Sequence, residues 1–206
     1  MYRDGECIHT TGYVSDIGDN SIRKGLNDNS FAARFQEVVK SLGVEKWAIH
    51  SLLMTPSIQD LVEGIKDGTT IGVSDGSFKD NFGTACWILE NASGTERIVG
   101  LVEVPGFSDE HDAYRSELAG LYGLILAVKL IVTIGSISSG SIEIGCDGLS
   151  ALNRGFDTTD DDISSKHSHF DILSGILGMR RAIPIQWKTR HIKGHHDDDK
   201  EAILDN

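Results

Sequence analysis

The spacing of hydrophobic positions changes near residue 69, from every third or fourth residue to every second, and this divides the chain. Before it, Phe31, Phe35, Val38, Val39 and Leu42 fall on one stripe and predict an amphipathic helix over Phe31 to Leu42, stopped by Gly43. A second helix is signalled after Pro56 by Ser57 with Asp60 three residues on, in the manner of a capping box. Ile58, Leu61, Val62 and Ile65 form its apolar side and Gly68 closes it. Residues 1 to about 30 are rich in Gly, Asp, Asn and Ser without periodicity and read as loop or disordered chain.

From Thr69 onward Ile71 to Ser77, Thr84 to Glu90 and Arg97 to Val104 read as three strands. The short polar turns Lys79-Asp80-Asn81 and Asn91-Ala92-Ser93-Gly94 make them an antiparallel meander. Asp112 to Ile131 is a long helix, apolar nearly all round after Glu117, with Ala113, Gly120, Gly123 and Ala127 small enough to let it approach a sheet closely. Ser141 to Cys146 is a fourth strand, a short helix starts at Leu149, a further helix covers Phe170 to Arg180, and Ile183 to Ile192 is the fifth strand. A strand reached through a helical crossover runs parallel to its neighbour. The predicted fold is therefore α/β, a five-stranded mixed sheet with three antiparallel strands then two parallel ones, flanked by helices. Residues 1–68 read as an N-terminal extension, partly disordered with two short helices, and 69–206 as one domain.

Composition narrows the function. No apolar run approaches the roughly eighteen residues that span a bilayer, and the first residues lack the basic-then-apolar pattern of a secretory signal. The expectation is no membrane partner and an intracellular setting, cytoplasmic or nuclear. Cys7, Cys86 and Cys146 are odd in number and widely spaced, which suggests neither a disulfide framework nor a zinc knuckle, and the latter two read as core thiols. The formal charge of −12 argues against tight autonomous binding of a polyanion, but not against cutting one through metal ions.

Candidate chemistry lies in the acids. Asp75 alternates with Ile71 and Val73, so it points to a side where an apolar residue is expected. It must be paired, protonated, metal-bound or at a cleft mouth; alternatively it ties down a turn. Glu117 is one acid in an apolar helix, or else an N-terminal acid favoured by the helix dipole and paired with Arg115. Asp147 ends a strand, where open α/β sheets bind ligands, or else caps the next helix. Thr189 to Asp205 holds two adjacent histidines and several acids.

Taken as a set, SDGSF at Ser74 to Phe78, YRSELAG at Tyr114 to Gly120, CDG at Cys146 to Gly148 and IKGHHDDD at Ile192 to Asp199 resemble the ribonuclease H family, particularly the domains attached to retroelement reverse transcriptases. The resemblance runs from about residue 69 to the end. It implies an RNase H-like fold cleaving the RNA strand of RNA/DNA hybrids, with an upstream reverse-transcriptase domain in a parent polyprotein. It implies Asp75, Glu117, Asp147 and Asp205 as ligands to two Mg2+ ions, with Mn2+ as a substitute, and His195 as a mobile proton-transfer group. Gly76, Ser77, Asn81, Arg115 and Lys193 are the implied substrate contacts. Asp205 stands where a helix packing on the sheet begins in the family, so the domain is expected to be truncated at its C-terminal helix. The alternative is a catalytically silent remnant with a structural or protein-binding role, favoured by the acidic charge and by Gly148 and Leu149 where many cellular enzymes of the family have Ser and Gln. A third possibility, a DNA-cutting relative, lacks the late Lys-Gly-His signature present here.

Overall fold

The structure, a computed structural model, describes residues 30–49, 51–157 and 165–192. Helix α1 (Phe31–Ser41) starts where the Ser30 hydroxyl accepts the Ala33 N–H, and a 3-10 turn over Val44–Ile49 follows. Strand β1 (Ser51–Met54) and helix α2 (Gln59–Asp67) precede the hairpin strands β2 (Ile71–Lys79), β3 (Phe82–Glu90) and β4 (Arg97–Glu103). The long helix α3 (Ala113–Ile134), β5 (Ser141–Cys146), α4 (Leu149–Phe156), α5 (Phe170–Ala182) and β6 (Gln186–His191) complete the order.

The strands form one mixed sheet in the order β1-β4-β3-β2-β5-β6. The β2, β3 and β4 pairs are antiparallel, and β5 and β6 join in parallel, as the crossover argument requires. Among the described residues the sheet has six strands where five are expected. The sixth, β1, pairs antiparallel with β4, Leu53 opposite Val99. Its four residues, Ser-Leu-Leu-Met, are too few to carry an alternation, so the pairing is set by tertiary contact.

Helix α3 crosses the sheet, covering β2 and β3, and its nearly all-round apolar composition follows from being covered itself by α1, α4, α5 and the 3-10 turn. It meets the length and composition of a membrane-crossing helix, contrary to the absence of such a run expected above, yet 78% of its most apolar window is buried inside the protein. Its small residues work as expected: Gly123 leaves room for Trp87 of β3, which is fully buried and donates its indole N–H to the Ala48 carbonyl at 3.3 Å. Phe35 and Ile49, from before residue 69, are fully buried in the same core.

Two local expectations are corrected. Helix α2 begins at Gln59 without a side-chain cap from its N-cap residue Ile58; the Asp60 N–H is met by the Glu96 carboxylate, at 2.6 Å, from the turn before β4. The capping partner thus comes from a distant segment rather than from Ser57, whose hydroxyl accepts only the Gln59 N–H at 3.4 Å. Along β2, Gly72 and Ser74 are the buried positions, while Ile71 and Asp75 are exposed. The apolar pattern pointed the wrong way because α3 lies so close that only small side chains fit beneath it.

Candidate metal centre

In the parallel pair β2 and β5, Ser74 stands opposite Cys146, so the next residues, Asp75 and Asp147, end up at the same margin of the sheet. The first turns of α3 pass directly over that margin. They do so because Gly76 has no side chain: a Cβ there would lie 2.4 Å from the Glu117 nitrogen and 2.5 Å from the Ser116 carbonyl carbon, both backbone atoms. Gly148 provides the matching space from the other strand, where a Cβ would come within 2.8 Å of Glu117 Cγ. Two glycines therefore admit one glutamate to the gap between β2 and the end of β5.

Glu117 is held there by the Gly76 N–H and by the Cys146 thiol, which donates to Oε2 at 3.3 Å. The Cys146 sulfur in turn accepts the Gly148 N–H at 3.3 Å. One donor atom each from Glu117, Cys146 and Asp147 lie within 4.8 Å of one another. Asp147 does not cap the following helix with its side chain: α4 has no side-chain cap, and Asp147 Oδ1 is buried without a hydrogen-bond partner among the described residues. The Asp147 carbonyl accepts from His191 Nε2 at 2.9 Å, which fixes the strand end from β6.

The electrostatics of the gap are those of crowded negative charge. Burial, then the Asp147 carboxylate, and to a smaller extent Asp75, push the Glu117 carboxyl up to about 7. Burial and the neighbouring Glu117 push the Cys146 thiol up to about 12. Cys86, opposite Asp75 on β3, is raised by burial and then by Asp75. A buried carboxylate oxygen with no donor, beside a carboxyl held partly protonated near neutrality, is the arrangement a cation relieves. The donor set thus fits a divalent metal ion, with Glu117 and Asp147 as its holders and Asp75 on β2 beside the end of β5.

Asp75 itself faces a groove of about 910 Å³ that also takes in Ser77, Thr84, Cys86, Leu101 and Trp47. Asn81 sits at the tip of the β2–β3 hairpin, where it and Asp80 both adopt positive φ, 62° and 53°, in a two-residue turn. Gly76 lies under α3, and Ser77 is exposed on the groove. Lys193, His195 and Asp205 lie outside the described residues.

Arg115 is placed differently from a substrate contact. Its guanidinium is buried and grips Asp171 of α5 with two nitrogens, at 2.7 and 3.1 Å, while Nε donates to the Pro105 carbonyl at 2.8 Å. Nη1 also donates to His169 Nδ1 at 3.2 Å, and His169 Nε2 donates to Asp112 Oδ2 at 3.0 Å. Asp112 closes the ring by capping α3, accepting the Arg115 N–H at 2.6 Å. Arg115 therefore joins the N-termini of α3 and α5 instead of reaching solvent or pairing with Glu117. Beyond this ring a second cleft, about 360 Å³, is lined by Tyr114, Ser150, Arg154 and His167 among others. Cys146 and His191 are the site residues that sequence reasoning missed. The only signal for Cys146 is its place one residue before Asp147, opposite the residue before Asp75.

No protein-family model matches the chain, and no curated protein matches it. Among solved structures the chain is similar to RNase H1 from the halophilic archaeon Halobacterium salinarum NRC-1, with a TM-score of 0.45 and 12% identity over 65% of this chain and 92% of that one. LC11-RNase H1 in complex with an RNA/DNA hybrid gives 0.44 and 10% over 64% and 89%. The N-terminal RNase H domain of a Mycobacterium tuberculosis protein gives 0.36 and 13% over 60% and 86%. At such scores these similarities carry no weight for chemistry, which rests on the acids at the sheet margin.

Proposed function

We propose that the chain is a metal-dependent nuclease domain of the ribonuclease H kind that hydrolyses the RNA strand of RNA/DNA hybrids. The observation that carries this reading is that Glu117, Cys146 and Asp147 each place a donor atom within 4.8 Å of the others, while Asp147 Oδ1 is buried with no hydrogen-bond partner among the described residues. Glu117 and Asp147, joined by Asp75, would hold Mg2+, or Mn2+ in its place. When bound, the ions supply Lewis acidity at the scissile phosphate. Gly76 and Cys146 orient the Glu117 carboxylate by donating to it, and His191 keeps the Asp147 backbone in place. The groove that takes in Asp75 would accept one strand of a hybrid and the cleft lined by Tyr114, Ser150, Arg154 and His167 the other. Asp205 as a fourth ligand, His195 as a proton carrier and contacts from Ser77, Asn81 and Lys193 belong to the same proposal. So does descent from a retroelement polyprotein with an upstream reverse transcriptase, which rests on the four sequence motifs.

A second reading, a fold kept without catalysis, is favoured by the inward-turned Arg115, which leaves one implied substrate contact unavailable. Incubating the 206-residue chain with an end-labelled hybrid separates the two. The nuclease gives Mg2+-dependent cuts ending in 5′-phosphate and 3′-hydroxyl, and these fall to background in Asp147→Asn. Absence of cutting by a folded preparation, or cutting that persists in Asp147→Asn, overturns the proposal.

A further inference from the structure

The remaining donor in the centre is the sulfur. Cys146 is fully buried, its Sγ lies 3.3 Å from Glu117 Oε2, and Sγ and both carboxylates fall within the same 4.8 Å span. Building on the metal-centre reading above, we propose that Cys146 is a third donor that makes this centre take up thiophilic divalent cations, Zn2+ and Cd2+, more tightly than Mg2+.

Tetrahedral zinc has bonds of about 2.0–2.3 Å to oxygen and sulfur, which places neighbouring donors roughly 3.3–3.8 Å apart. The Sγ to Oε2 separation of 3.3 Å already meets that spacing, so sulfur and carboxylate can share one ion with little movement. The Gly148 N–H on Sγ fixes the sulfur's position, and an oxygen of the Asp147 carboxylate, whose Oδ1 has no donor among the described residues, supplies the third corner. Magnesium prefers six oxygens and keeps several waters, whereas soft sulfur selects borderline and soft ions. As the sulfur–metal bond forms, the thiol proton now given to Glu117 passes to solvent. Zinc would then occupy the place of the catalytic ion and inhibit the Mg2+-dependent reaction.

The test uses the full chain with Cys7→Ser and Cys86→Ser, so that Cys146 is the sole thiol, titrated with CdCl2. The expected result is a sulfur-to-cadmium charge-transfer absorption that saturates at one ion per chain, is displaced by Zn2+, and disappears in Glu117→Gln. Adding Cys146→Ser should remove the absorption and weaken Cd2+ on the order of tenfold or more, about 1.4 kcal/mol per decade, and weaken Cd2+ more than it weakens Mg2+ as calorimetry compares them; an equal loss for both ions overturns the role of the sulfur. Should Cys146→Ser not fold, the sole-thiol protein and its Glu117→Gln variant decide the matter alone. No charge-transfer absorption while Mg2+ or Mn2+ still binds in a Glu117-dependent manner overturns the role of Cys146 and leaves the centre standing. An absorption that survives both Glu117→Gln and Asp147→Asn also overturns it, since the thiol is then binding elsewhere. Failure of every divalent ion to bind overturns the metal centre itself, and this inference with it.

Discussion

Glu117 sets two requirements against each other. Its carboxyl, ordinarily near 4.5, is raised to about 7 in the folded chain by burial and by Asp147. Between those values the folded state binds more protons than the unfolded one, so stability falls as pH rises through the window and the penalty is complete above it. Glu117→Gln should therefore stabilise the metal-free protein at pH 8 relative to wild type and change it little at pH 4.5, as urea denaturation at the two pH values will show. If the proposed centre binds Mg2+, the wild type should gain a rise in Tm worth about 2.7 kcal/mol at a hundredfold excess over Kd, and the same substitution should abolish it. Gly76 is equally exposed to test. A methyl group there meets the α3 backbone at 2.4 Å, and backbone cannot rotate away as a side chain can. Gly76→Ala should cost roughly 1–3 kcal/mol and weaken metal binding together, because α3 must lift with Glu117 on it. Neither effect was legible from sequence, which shows a Gly after Asp75 but not the helix above it.

Among elements, α3 and α5 are tied by one ion pair whose partners differ in environment. Arg115 is 5% exposed and Asp171 60%, so removing the acid takes the counter-charge from a buried guanidinium and leaves it only the Pro105 carbonyl and His169. Asp171→Ala should destabilise by about 2–4 kcal/mol, measured by denaturant titration, with Asp171→Asn recovering part of it through the remaining hydrogen bond. The Arg115 hydrogen bonds hold the Asp171 carboxyl below its ordinary value of 3.8. That contribution is therefore present above the ordinary value and lost as pH falls through the lowered one, opposite in direction to the Glu117 effect. Element identity was readable where periodicity was long: α1, the three hairpin strands, α3 and α5 lie where the pattern puts them. Contacts between elements were not readable. Arg115 sits two residues before Glu117 and was assigned to the substrate, yet its partner lies 56 residues away on a helix whose first turn gives no sign of it.

For the whole molecule, the legible part is the sheet and the illegible part is its company. Helical crossovers after β2–β4 dictate a mixed sheet, and the order β4-β3-β2-β5-β6 follows. Which face is covered depends on the bulk of the residues beneath α3, and there the alternation of Ile71, Val73 and Asp75 misleads, since Gly72 and Ser74 are the buried set. Asp75 and Asp147 come side by side because β5 ends next to the middle of β2, a property of topology rather than of any one motif. The segment before residue 69 supplies β1 and the Ala48 carbonyl, so it belongs to the same packed body.

That last attachment governs how the protein can be shortened. A fragment begun at Thr69 would lose the neighbour of β4, baring a raw flank along Val99 and Leu101, and would leave the Trp87 indole without its acceptor. Such fragments should zip flank to flank into oligomers on size-exclusion chromatography, while a version begun at Ser30 stays monodisperse. The smallest usable piece of this molecule thus starts well upstream of Asp75.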